Sequence, residues 1–142
     1  MRTKQAGFTL IEVMVVVVIL GILAAIVVPR IMSRPDEARV VKAQQDLRAI
    51  AAALDLYKLD NFNYPLTATG LEALVTKPAA LLPGANWRAG GYLSKLPRDP
   101  WGATYQYLAP GQHGEYDLYS LGADGTLGGE GNNRDLGNWE IE

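Results

Sequence analysis

The chain has 142 residues, enough for one domain or one domain with an appendage, and carries 13 basic against 15 acidic residues for a formal net charge of −2. This mild acidity argues against a nucleic-acid partner, which needs a basic patch. The absence of cysteine excludes disulfides and thiolate chemistry. His113 is the one histidine and lies in a Pro-Gly-Gln-His-Gly turn, so a Ser-His-Asp enzyme would depend on a single loop residue that reads more simply as polar surface. No convergent catalytic set is visible, and no enzyme is expected.

Met1 to Gly7 carries Arg2 and Lys4, and an apolar run from Phe8 to Val28 follows with Glu12 as its one charge. A spanning helix needs about 20 largely apolar residues, so the run is long enough to cross a bilayer. Basic residues at its front keep the N-terminus cytoplasmic and send the remainder across. A secretory signal would have small residues after the apolar run. Here Val27, Val28, Pro29 and Arg30 occupy that place, and the small pair Ala6-Gly7 lies before the run. A carboxylate in a membrane segment needs a partner. A cut between Gly7 and Phe8 would create an α-amino group one helical turn from Glu12, or within reach of a neighbouring copy's Glu12.

Pro29 and Pro35 predict a kink or local melting of the helix. Asp36-Glu37 then favours a helix N-terminus. Val40, Ala43, Leu47, Ile50, Leu54 and Tyr57 recur at spacings of three and four, which predicts one apolar helical face over about 36–60. Asp60 to Pro65 supplies stop signals. A loop region over 61–104 follows, with a short helix at Thr69–Val75 that Thr69 would cap, and with Trp87 covering apolar surface. Tyr105–Leu108 and Glu115–Ser120 alternate around turn residues and predict a β-hairpin. The head is therefore α+β, a small antiparallel sheet laid on the amphipathic helix.

The tail from Asp124 to Asp135 is rich in glycine and oxygen ligands. Hard cations take six to eight oxygens, and glycines let backbone carbonyls converge. An EF-hand is excluded, because Thr126 and Gly128 stand where its third and fifth ligands belong and a strand precedes the loop. On composition alone, a solvated loop and a cation loop remain equal alternatives.

Gly7-Phe8-Thr9-Leu10-Ile11-Glu12 resembles the leader junction of type IV pilins and type II secretion pseudopilins. Tyr64-Pro65, Thr69 to Leu74, Leu96 to Gly102 and Ser120 to Gly125 are similar to the major pseudopilins within that superfamily. The resemblance implies a type IV pilin-like α+β fold with three parts: a cleaved basic leader at 1–7, a transmembrane and filament-core helix at 8–29, and a periplasmic domain at 30–142 whose hairpin and Ca²⁺ loop occupy 105–142. It implies cleavage between Gly7 and Phe8 by a prepilin peptidase, N-methylation of Phe8, and a role for Glu12 in assembly. Its partners would be further copies in a helical homopolymer, minor pseudopilins, and an inner-membrane platform with a cytoplasmic ATPase.

The resemblance also implies one structural Ca²⁺, held by the Asp124 side chain and the Leu121 carbonyl, then by carbonyls near Thr126 and Gly129. Asn132 and Asn133 stand where the family often has aspartates, and Asp135 is a further candidate. The implied function is the major subunit of the periplasmic pseudopilus that drives folded proteins across the outer membrane. A surface type IV pilus for adhesion, motility or DNA uptake is the alternative, disfavoured by the missing disulfide and by the tail. A monomeric anchored binding protein would depend neither on Glu12 nor on cleavage at Gly7.

Overall fold

The structure, a computed structural model, describes residues 7–141, with the side chains of 28–34 excepted. The expected leader therefore lies outside the described residues up to Ala6. The chain forms two compact units that divide between Glu37 and Ala38.

Helix α1 spans Leu10–Asn61 as a single element. The local melting expected at Pro29 and Pro35 does not occur, since the helix runs through both. Each proline removes its own backbone donor, and helical backbone continues on both sides. In the first unit, Leu10 to Val27 is long and apolar enough to cross a membrane, and none of it is buried.

In the second unit the predicted stripe is the buried face of α1. Ala43, Leu47, Ile50, Leu54 and Tyr57 lie in the core, with Val40 packed against it. Leu47, Ile50 and Leu54 are fully buried, each stabilising the head by about 1.5–3 kcal/mol. The helix stops where Phe62 takes φ +68°, while its N–H donates to Lys58 O at 2.7 Å.

Strands β1 (Gln106–Leu108), β2 (Asp117–Ser120) and β3 (Leu136–Gly137) form an antiparallel sheet in that order. The predicted hairpin pairs Gln106 with Tyr119 and Leu108 with Asp117. The third strand, which the sequence pattern does not announce, pairs Ser120 with Leu136. Leu118 and Leu136 carry the sheet's inner face into the core. Residues flanking the hairpin bond to the C-terminal part of the helix: Tyr105 Oη donates to Asp46 at 2.9 Å, and Lys58 Nζ donates to Glu115 at 2.6 Å.

The connection from helix to sheet is mostly irregular. A 3₁₀ turn at Leu71–Leu74 has Gly70, not Thr69, at its cap, and no side-chain hydrogen bond closes it. The Thr69 N–H instead donates in a turn to Leu66 O at 2.9 Å, and the chain enters the helical turn one residue later. Trp87 does cover the core, with its indole N–H donating to Ala73 O at 2.8 Å.

Candidate functional site: the helix start and the C-terminal loop

Two places hold the residues that the sequence singles out. The first is the start of α1. Gly7, Phe8 and Thr9 precede the helix, and Phe8 is 89% exposed. The Thr9 N–H and hydroxyl both donate to Glu12 Oε2, at 2.7 and 2.8 Å, while the Glu12 N–H donates to Thr9 Oγ1 at 3.3 Å. This reciprocal capping box satisfies donors that every helix start leaves without intrahelical partners. It gives Glu12 an intramolecular partner and holds its carboxylate at the helix N-terminus. Thr9 is thus a further site residue, and the Thr-x-x-Glu spacing is its signature in the sequence. The same spacing at Thr69 and Glu72 makes no cap.

The second place is the loop from Leu121 to Asp135. It leaves β2 at a buried anchor: Ser120 Oγ donates to Asp99 Oδ2 at 2.7 Å and accepts from the Gly122 N–H at 3.2 Å. Asp99 Oδ1 in turn accepts from the backbone N–H groups of Trp101 and Ala103, at 3.1 and 2.7 Å. Gly122, at φ +68°, lets the chain turn against its own return: a β-carbon there would lie 2.7 Å from Arg134 O and 3.0 Å from Asn132 O. The Ala123 N–H donates to Asn132 O at 3.0 Å. Gly129, at φ +90°, packs directly on the Asn133 backbone. Asp124 closes a local turn by accepting from the Thr126 N–H at 3.1 Å.

The fold thus brings Gly129, Asn132, Asn133 and Asp135 together. Asp135 Oδ2 accepts from the Gly128 N–H at 2.9 Å. Its other oxygen, Oδ1, is buried and has no partner among the described residues. No group of three His, Cys, Asp or Glu residues able to hold a metal occurs among the described residues. Any cation held here would therefore take most of its ligands from neutral oxygens.

His113 is placed more specifically than loose polar surface. Its ring stacks on Trp139 at 4.1 Å between centroids, and Nδ1 lies 3.1 Å from the buried Asp117 carboxylate. Burial pushes the Asp117 carboxyl up, but hydrogen bonds from the N–H groups of Gln112 and His113 and from the imidazole outweigh it and hold the group below its usual value. Ser120, committed to Asp99, does not face this pair as a nucleophile.

An exposed apolar helix, capped at a glycine-phenylalanine junction and leading into a head of three short strands with a glycine-rich closing loop, defines a type IV pilin-like subunit. Comparison with known proteins narrows the class. Residues 2–28 match the prokaryotic N-terminal methylation motif, and residues 30–139 match the type II secretion system protein G family. The chain is 66% identical to the type II secretion system core protein G of Pseudomonas aeruginosa, covering 98% of each chain. It is 58% identical to that of Vibrio cholerae, over 98% of this chain and 94% of the other. The crystal structure of the major pseudopilin from the type 2 secretion system of enterohaemorrhagic Escherichia coli superposes with a TM-score of 0.68 at 43% identity, covering 78% of this chain and 91% of the other. The chain belongs to the type II secretion system protein G family, the major pseudopilins. This is a family of structural subunits, and secretion, not a surface pilus, is the function it supports.

Proposed function

We propose that a prepilin peptidase cuts the chain between Gly7 and Phe8, that Phe8 is then N-methylated, and that the mature subunit polymerises through its exposed apolar helix into a periplasmic filament. Before assembly the subunit sits in the inner membrane with its N-terminus cytoplasmic and its head periplasmic. Its helpers are minor pseudopilins and an inner-membrane platform with a cytoplasmic ATPase. The observation that carries this reading is Glu12. It is the only charged residue between Phe8 and Val28 and is held by Thr9 at the mouth of the helix. The self-made cap lowers the cost of carrying a carboxylate into the bilayer. A neighbour's new α-amino group would offer it an opposite charge once the leader is gone. Glu12→Ala should therefore insert into the membrane as the native chain does yet form few filaments; normal filament yield from that variant would overturn the reading.

The tail loop is the proposed site of one structural Ca²⁺. The support is the buried, unpartnered Asp135 Oδ1 beside a backbone folded tightly at Gly122 and Gly129, a donor set of oxygens suited to a hard cation. Asp124 and Asp135 would supply the charge. Leu121, Thr126, Gly129, Asn132 and Asn133 would supply neutral oxygens. The ion, when bound, would hold the two arms of the loop together against their loop-closure entropy.

A further inference from the structure

The turn around Asp99 buries a carboxylate that no cation answers. Asp99 is 4% exposed, and its three hydrogen bonds come from uncharged donors: the N–H groups of Trp101 and Ala103 and the Ser120 hydroxyl. Among the described residues none of the ion pairs involves it. The neighbouring Arg98 turns its guanidinium to Gly102 O at 3.1 Å instead. A buried carboxylate is ordinarily paired with a cation or set against a metal.

Ser120 joins this carboxylate to the tail loop. It is fully buried; its Oγ donates to Asp99 Oδ2 at 2.7 Å and accepts from the Gly122 N–H at 3.2 Å. That N–H and the Leu121 carbonyl are the two ends of one planar trans peptide. Holding the N–H toward Ser120 therefore turns the carbonyl the opposite way, away from the buried pair. The chain of bonds also polarises the peptide. A hydroxyl that donates to a carboxylate accepts more strongly, and an N–H bound to it leaves its own carbonyl oxygen more negative. Gly122 cannot shift to escape this arrangement easily, because at φ +68° it packs against Arg134 O and Asn132 O.

We propose that Asp99 and Ser120 are positioning residues for the tail-loop cation, orienting and polarising the Leu121–Gly122 peptide so that the Leu121 carbonyl serves as a ligand. This inference rests on the Ca²⁺ reading of the loop and adds to it two side chains that do not touch the ion. The loop has use for such help. Asp124 and Asp135 would bring the only charge, and the neutral oxygens bind a hard cation better the more strongly they are polarised. The ion would in turn supply the positive charge that Asp99 lacks.

The full chain in detergent micelles gives two separable readouts: Ca²⁺ affinity by titration calorimetry, and the ion-free melting temperature of the head by circular dichroism. Ser120→Ala should weaken Ca²⁺ binding about ten- to a hundredfold, as loss of an outer-shell partner does. Asp99→Asn keeps the oxygen that serves Trp101 and Ala103 but turns an N–H toward Ser120, and should weaken binding about tenfold. Leu54→Ala opens a cavity in the same core on α1, so it should lower the ion-free melting temperature yet leave affinity within about twofold of native. Should Ser120→Ala not fold, Asp99→Asn decides alone. Native affinity in Asp99→Asn, or in a folded Ser120→Ala, would overturn the positioning role and leave the Ca²⁺ reading standing. An equal loss of affinity in Leu54→Ala would overturn it as well, since lowered stability would then account for the effect. A native chain that binds no Ca²⁺ would remove the Ca²⁺ reading itself.

Discussion

Asp99 is the side chain whose loss should be felt furthest. It is 4% exposed and accepts three hydrogen bonds, from the N–H groups of Trp101 and Ala103 and from the Ser120 hydroxyl. Asp99→Ala strands all three donors. The Ser120 hydroxyl is fully buried and the two amides are partly so, and each unsatisfied donor costs about 1–3 kcal/mol. Two of these losses together suggest a deficit of roughly 2–6 kcal/mol, with the third recovered in part by water. For a head of this size each kcal/mol moves the melting temperature by about 4–8 °C, so the variant should melt about 8 °C or more below native. Asp99→Asn keeps the oxygen that serves Trp101 and Ala103 and should lose less than half as much. The assay is thermal unfolding of residues from Arg30 onward, followed by circular dichroism. A melting temperature for Asp99→Ala within about 2 °C of native would refute the reasoning, since no buried network of this kind can be lost so cheaply.

The remaining predictions concern the loop and pH. If the tail holds Ca²⁺, saturating ion at about a hundredfold over Kd should raise head stability by about 2.7 kcal/mol, seen as a melting-temperature gain that EDTA abolishes and calcium restores; no shift on re-addition would remove the ion from the account. Gly129→Ala places a β-carbon on the Asn133 backbone at φ +90°, and should cost roughly 1–3 kcal/mol and erase the calcium response in the same melt. Asp135→Asn should weaken that response while leaving the ion-free melting temperature within about 2 °C of native. Asp117 is held below the usual carboxylate value, so its contribution is present above pH of about 4 and is lost as pH falls through its lower folded-state value. At the other extreme, burial and then the charges of Asp55 and Glu115 push Tyr116 up to about 12. Its contribution is whole below pH of about 10 and lost as pH rises toward 12. Chemical-denaturant midpoints across pH should show both flanks, and Asp117→Asn should flatten the acid one.

What could be read from sequence was whatever repeats. The stripe from Val40 to Tyr57 has the helical period, and Tyr105–Leu108 with Glu115–Ser120 alternates as strands do, so the helix face and the hairpin were legible. Strand β3 is only Leu136–Gly137, too short for a period, and glycine depresses strand propensity. Its pairing comes from the loop's return, which no local pattern announces. The prolines were read for what they remove, while the helix flanking them decided the outcome. Thr9 and Thr69 share the Thr-x-x-Glu spacing, yet only Thr9 caps, because Gly70 takes the cap position at the other turn. The Asp99–Ser120 bond joins residues 21 apart and is invisible to any window. In the tail, composition identified the residues but not which would meet. The approach of Gly129 to Asn133 and the stranded Asp135 oxygen appear only once the loop is folded.

The central claim is that this chain becomes a filament subunit by losing its leader and exposing Phe8. Intact-mass measurement and terminal fragmentation of the protein isolated from filaments test it most directly. The account predicts a chain beginning at N-methylated Phe8, with no residue from Met1 to Gly7 present. A filament built of chains that still carry Met1 to Gly7 would contradict it.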